Sequence, residues 1–244
     1  MQKIKDFVKK NYKLLIIVFI CLVILVAGCI IYVKKTYSIH PDINKMNLKG
    51  VNKLMIVAHP DDEILWGGRG LIEDDYLVVC VTCGVKKNRV IEFVNVMHAT
   101  NDKYIMLGYP DKTKGQRDNW DKVYKDISND LDKIINVKDW EQIVVHNPDG
   151  EYGHQHHKML NAMTTNLVKE KKKLYYFGHY YSKKSISKHY DELTPMNDNT
   201  LKKKKQIIGI YHSQKFIQTS FDQMFPYENW LSYEEWMSEE NEKA

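Results

Sequence analysis

Leu14–Val33 (LLIIVFICLVILVAGCIIYV) is twenty residues without a charge. As a helix rising 1.5 Å per residue it would span about 30 Å, the hydrocarbon thickness of a bilayer. A buried core helix is usually shorter and is not bracketed by lysines, so the run reads as a membrane helix or signal anchor. Five lysines precede it and two follow it. The positive-inside rule then predicts a single-pass protein with its N-terminus cytoplasmic and everything after Val33 outside. Val26-Ala27-Gly28-Cys29 resembles a lipoprotein processing site. The apolar run continues through Ile30–Val33, however, where polar residues follow such a cysteine. An uncleaved anchor is the preferred reading, with a lipoprotein carried on Cys29 as the alternative. The chain divides accordingly into a basic segment 1–13, the anchor 14–33, a polar linker 34–50 containing Pro41, and one domain over 51–244.

The net charge of +5 sits in the same place. Seven lysines against Asp6 give residues 1–35 a charge of +6, which leaves −1 for the rest of the chain. A near-neutral domain of this kind excludes nucleic acid as a partner on electrostatic grounds. Cysteine usage is equally plain. Cys21 and Cys29 lie in the apolar run. Cys80 and Cys83 lie in a strand-like segment, where residues three apart are about 10 Å from each other, too far for a disulfide. With no second pair for a zinc ribbon, both read as buried strand cysteines.

From residue 51 short apolar runs alternate with helical stretches. Leu54–Ala58, Tyr76–Thr82, Tyr104–Leu107, Ile143–Val145 and Leu174–Phe177 read as strands. Arg89–Asn101, Val123–Ile135 and His156–Lys172 show helical spacing. That alternation predicts an α/β fold: a Rossmann-like, mainly parallel sheet with helices on both faces, preceded by one N-terminal transmembrane helix. Lys202–Lys205 reads as the exposed end of a helix. The aromatic and acidic stretch from Phe221 to Trp236 reads as packing against the domain beside the substrate groove.

Ligands of open α/β sheets bind outside the carboxyl ends of the strands. Directly after the first strand stands Ala58-His59-Pro60-Asp61-Asp62-Glu63, and after the fourth His146-Asn147-Pro148-Asp149-Gly150-Glu151-Tyr152-Gly153-His154-Gln155-His156-His157. Hydrolytic zinc is typically held by three His or carboxylate ligands with one position left open. His59 and Asp62 are three apart, as are His154 and His157, and such pairs share a face on a helical turn. Either cluster alone could be an ordinary helix cap or a set of solvated histidines. Two such clusters at strand ends make a site.

At these residues the chain resembles the PIG-L/LmbE-like zinc-dependent N-deacetylases. The likeness rests on Ala58–Glu63 (AHPDDE), Cys83-Gly84 with Arg89-Val90-Ile91-Glu92, Leu107–Asp111 (LGYPD), His146–His157 and Tyr211–Gln214 (YHSQ). It implies that His59, Asp62 and His157 hold Zn2+ and that Asp61 is the general base toward water. It gives His154 the task of stabilising the oxyanion and protonating the amine, as a cation during turnover. Arg89 and Asp111, with Tyr152, correspond to sugar-contacting positions. His146, His156 and His212 are weaker candidates. Gln155-His156 replaces the Pro-Asp frequent in the family, which brings His156 into play as a substitute ligand or a partner of one.

The implied activity is hydrolytic removal of the acetyl group from an N-acetylglucosamine unit of a cell-envelope glycan or glycolipid, with a bell-shaped pH profile. Competing readings are another zinc hydrolase on the same fold, and a membrane-anchored glycan-binding protein with a degenerate zinc pocket.

Overall fold

The computed structural model describes residues 2–37 and 43–243. The chain divides into two units, residues 1–39 and 40–244. The first is a helix, α1 (Gln2–Tyr37). Its Lys9–Gly28 stretch is long and apolar enough to be a membrane span or a signal sequence. The Cys29 side chain and residues 38–42, including Pro41, lie outside the described residues.

The second unit runs β1 (Lys53–Val57), α2 (Asp62–Glu73), β2 (Tyr76–Thr82), α3 (Lys87–Thr100) and β3 (Lys103–Tyr109). A small hairpin of β4 (Lys112–Thr113) and β5 (Gln116–Arg117) precedes α4 (Tyr124–Ile135) and β6 (Gln142–Val145). Then come the single turn α5 (Gly150–Gly153), α6 (Gln155–Leu167), β7 (Leu174–Tyr176), α7 (Asp198–Ile208), the short α8 (Ile217–Ser220), β8 (Leu231–Ser232) and α9 (Tyr233–Lys243). Six strands form one sheet in the order β3-β2-β1-β6-β7-β8. All neighbours are parallel except the β7–β8 edge pair.

Both faces of this sheet are covered, which is why its strands read as unbroken apolar runs. Leu54 and Ile56 point into a core shared with Ile127 and Leu131 of α4 and Leu160 and Met163 of α6. The alternate residues Met55 and Val57 point into a second core with Ile64 of α2, Phe93 of α3 and Ile207 of α7. Each buried side chain of this size contributes about 1.5–3 kcal/mol relative to its exposed state. The chain leaves β1 toward β2 on one side and later reaches β6 on the other. The crevice between the carboxyl ends of β1 and β6 is therefore the topological switch point.

Some elements differ from the sequence expectation. The packed unit begins inside the expected linker, because Ile43 is buried and Met46 and Leu48 pack against the first core. The α6 helix ends at Leu167 rather than Lys172. Lys171 Nζ turns back to donate to the Val168 carbonyl at 2.6 Å and to that of Thr165, closing the helix end. Cys83 lies past the end of β2 at φ +66, so only Cys80 is a strand cysteine; both are buried. Lys204, expected in an exposed charge run, is fully buried. Its Nζ donates to the Leu65 carbonyl at 2.8 Å and to Glu228 at 2.5 Å, tying α7 to α2 and to the segment before β8.

Asp102, at the start of β3, accepts the Tyr76 backbone N–H at 2.7 Å through Oδ1, while Oδ2 is buried without a partner. Burial pushes its carboxyl up to about 7. The folded state thus favours the protonated form. The stabilisation is complete below the unfolded value near 4 and is lost as pH rises through 7. Asp102→Asn keeps the acceptor and removes the ionisation. It is expected to stabilise the protein at pH 8 by roughly 2–4 kcal/mol and to change little at pH 4. Urea unfolding at the two pH values checks this; equal effects at both would contradict it.

Candidate active site

The two sequence clusters meet at the switch point around a cleft of about 640 Å3 lined by His59, Asp61, Asp62, Arg89, Asp111, Tyr152 and His154, among others. The turn from β1 into α2 presents the first cluster. Asp61 sits at φ +111, a region costly for a residue with a Cβ. Its backbone is held there on both sides. Its N–H donates to Glu63 Oε2 at 3.0 Å, and its carbonyl accepts the Leu65 N–H at 3.0 Å. Glu63 is wholly buried, accepts the Tyr211 hydroxyl at 2.5 Å, and is pushed by burial up to about 7. The Tyr-His-Ser-Gln segment therefore reaches the site through Tyr211. His212 is exposed, while its neighbours Ser213 and Gln214 line the cleft.

The second cluster is organised by Glu151, which is not among the site residues expected from the motifs. Its Oε2 receives the Nδ1–H groups of His146 (3.0 Å) and His157, and its Oε1 receives the Asn147 N–H at 3.0 Å. Burial alone would raise this carboxyl, but His146 and His157 outweigh burial and hold it down to about 2. His146 belongs to this frame. It is fully buried, and its Nε2 accepts the Ala58 N–H at 3.0 Å, which links the end of β1 to the end of β6. With Asp62 and His157 it also offers ligand atoms within 4.8 Å of one another, its Nε2 lying 3.5 Å from Asp62 Oδ2.

With Nδ1 of His157 committed to Glu151, its Nε2 faces Asp62. The two atoms are 3.2 Å apart but off the axis of a hydrogen bond, and Nε2 is buried without a hydrogen-bond partner. His59 Nδ1 lies 3.1 Å from the same Asp62 oxygen. Tetrahedral ligands with bonds of about 2.0–2.1 Å are separated by about 3.3 Å, so these spacings suit a shared cation. The electrostatics agree. Burial lowers the affinity of His157 for a proton, yet Asp62 and Glu151 override it and raise the ring to about 9. Burial likewise works against ionised Asp62, but His157, His146 and His59 hold its carboxyl well below the usual range. Asp62 and His157 thus favour a positive charge between them, whether a proton on His157 or a cation. His59, His154 and His157 also offer ligand atoms within 4.8 Å of one another.

Around this cluster stand the other expected residues. Asp61 Oδ2 is 3.2 Å from Arg89 Nη2. Burial and the neighbouring Asp62 push the Asp61 carboxyl well up, against the opposing pull of Arg89. Arg89 also donates to the Pro60 carbonyl and keeps Nη1 buried without a partner. Asp111 accepts from Lys86 Nζ at 2.9 Å and Arg117 Nη1 at 3.1 Å. Tyr152 is 44% exposed and packs against Phe221 with ring centroids 5.0 Å apart and tilted by 38°, with His154 5.8 Å away. His154 itself is held neutral. Burial, then His157 and His59, push it down to about 2, so the cationic form expected from the sequence is not the resting one. His156 is buried, stacked on Trp120 at 4.1 Å.

Residues 54–168 match the PIG-L family, described as GlcNAc-PI de-N-acetylase. An uncharacterized protein of Acanthamoeba polyphaga mimivirus is 30% identical over 164 residues, covering 60% of this chain and 71% of the viral protein. Among solved structures, the A40926 pseudoaglycone deacetylase Dbv21 superposes with TM-score 0.53 at 14% identity, over 70% of this chain and 84% of its own. The zinc-inhibited form of teicoplanin deacetylase Orf2 gives 0.52 at 13% identity, over 71% and 89%. GalB, a 4-carboxy-2-hydroxymuconate hydratase of Pseudomonas putida KT2440, gives 0.50 at 14%, over 71% and 84%. At such identities these structures bear on the fold alone.

Proposed function

The chain belongs to the PIG-L de-N-acetylase family, and from that premise we propose that it is a zinc-dependent hydrolase that removes the acetyl group from an N-acetylglucosamine unit of a cell-envelope glycan or glycolipid. The observation that supports the metal is that Asp62 Oδ2 lies 3.1 Å from His59 Nδ1 and 3.2 Å from His157 Nε2, a buried nitrogen without a hydrogen-bond partner. These three residues would hold the ion. When bound, it supplies Lewis acidity toward an acyl oxygen and lowers the pKa of a water.

The remaining chemistry belongs to the chain. Asp61, in the cleft and raised by burial, accepts the proton of the attacking water. His154, neutral at rest, supports the developing oxyanion through its ring N–H, and the departing amine takes up the proton that Asp61 accepted from water. Arg89 offers the unpartnered Nη1 to a substrate oxygen. Asp111 accepts from sugar hydroxyls, and the exposed ring of Tyr152 gives the apolar face of a pyranose a wall. In this reading α1 inserts in the bilayer and the lysine bias places the domain outside.

A hydratase on the same fold means that the fold does not choose the reaction, so product decides it. The full-length protein in detergent, loaded with zinc, is expected to release acetate from a panel of N-acetylglucosamine, chitooligosaccharides, glycolipid and cell-wall extracts, and to lose that activity to a chelator and regain it with zinc. Glycan binding without acetate from any member would favour a binding protein instead.

A further inference from the structure

The mouth of the cleft is built from three stretches of chain that share one sign of charge. Residues 83–91 hold three Lys or Arg side chains, 112–117 three and 211–220 one, with no acid inside any of them. The acids that flank them, Glu92, Asp111 and Asp118, still leave +4, in a chain whose net charge after residue 35 is −1. The three stretches form one rim. Lys87, Lys112 and Phe216 all line the cleft. Lys86 donates to Asp111 at 2.9 Å, and the Ser213 N–H donates to Glu92 of α3 at 2.7 Å.

Large apolar side chains stand exposed along the same rim. Phe216, directly before the short α8, is 57% exposed, although its neighbour Ile217 is buried and anchors the turn. Val85, beside Lys86, is 48% exposed. Ile91, also 48% exposed, lies one turn beyond Lys87 on α3 and on the same helix face. Single exposed hydrophobic side chains need no explanation, but a group of them within a cationic field marks an interaction surface.

We propose that this rim docks on an anionic lipid surface, with Phe216, Val85 and Ile91 entering the interface and the lysines lying among the headgroups. Apolar side chains reaching the acyl boundary, with lysines kept in the polar layer, are the mark of interfacial segments. Cations gathered close to a membrane segment are drawn to anionic headgroups. A soluble polyanion would satisfy the lysines but leave the apolar side chains in water, so lipid is the partner that uses both halves of the rim. The inference rests on the reading that α1 inserts in a bilayer. Nine residues lie between Val33 and the buried Ile43, and so short a tether keeps lipid at high local concentration around the domain.

The full-length protein carrying Phe216→Trp, reconstituted in vesicles of phosphatidylcholine and phosphatidylglycerol, reads the contact through quenching by brominated acyl chains. Wild-type protein gives the background of the five native tryptophans. Met237→Trp is the control, because Met237 is 41% exposed on α9, which carries five glutamates and one lysine. The added emission of Phe216→Trp is expected to shift to the blue and to be largely quenched by bromolipid, while that of Met237→Trp stays unchanged. The quenching should disappear without phosphatidylglycerol, and when Lys87→Glu and Lys215→Glu are added. It should also disappear in about 1 M salt, where the Debye length falls to about 3 Å. Equal emission of Phe216→Trp in brominated and plain vesicles, or quenching no greater than in Met237→Trp, overturns the proposal. So does an emission that answers to dextran sulfate in solution but not to bromolipid, which would assign the rim to a soluble polyanion. Release of the protein from vesicles by alkaline carbonate would instead overturn the reading of α1. The same emission, measured on the released protein with anionic vesicles added at neutral pH, would then judge the rim alone.

Discussion

Asp61→Asn is expected to lower turnover by about 10²–10⁴-fold, the usual contribution of a positioned base, with one zinc still bound per chain. The separation of the two effects follows from where the carboxylate points. Asp61 Oδ2 is 3.2 Å from Arg89, while the contacts around His157 Nε2 are made by Asp62. Asparagine has the same shape, can still accept from Arg89, and tolerates positive φ about as well as aspartate. The turn that carries Asp62 should therefore survive the substitution, and only the proton acceptor is lost. Acetate release and metal content measured on the same preparation give the answer. Near-wild-type turnover with zinc in place would remove Asp61 from the role of base.

Glu151→Ala is expected to damage the protein more broadly. Removing the carboxylate strands three buried donors, His146 Nδ1–H, His157 Nδ1–H and the Asn147 N–H. Loss of one partner from such a buried charged network costs about 3–5 kcal/mol. His157 also loses the group that keeps its Nε2 turned toward Asp62, which should weaken zinc binding 10–100-fold. Glu151→Gln separates the two effects. It keeps most of the volume but can no longer serve every donor, so the affinity loss should persist with a smaller loss of stability. Urea unfolding and competition with a chromophoric chelator measure the two quantities. Wild-type zinc affinity in Glu151→Gln would show that the frame around His157 does not depend on this charge.

The fold was legible because the sheet is covered on both faces. Leu54–Ala58 and Tyr76–Thr82 are continuous apolar runs, and each pins a strand. The helix after β1 was visible only as a start, since Gly67, Gly68 and Gly70 obscure its periodicity. They are tolerated because the helix packs closely: a Cβ at Gly68 would lie 3.0 Å from Ile64 and 3.1 Å from Lys204, and one at Gly70 2.6 Å from Trp230. Lys204 could not be read as buried, because its partner Glu228 is remote in sequence and nothing local marks the pair. The candidate site shows the same division. His59, Asp61, Asp62, His154 and His157 stand in two compact motifs; the first four line one cleft, and His157 is buried against Asp62. Glu151 was hidden because it acts through backbone geometry: it sits at φ +54, and its side chain joins His146 before it to His157 after it. The bond of His156 to Asp118 is invisible for a related reason, since a main-chain carbonyl leaves no mark in the sequence.

The pairing of β1 with β6, from Lys53 opposite Gln142 to Ile56 opposite Val145, carries a further consequence. His59 and His156 are 97 positions apart along the chain, yet the gap between the halves they belong to is set by a hydrogen-bonded ladder whose rung is about 4.8 Å. Chain length and site geometry are thereby uncoupled. Loops between β2 and β6 can grow or shrink, and so reshape what enters the cleft, while the rung that spaces the two halves keeps its length.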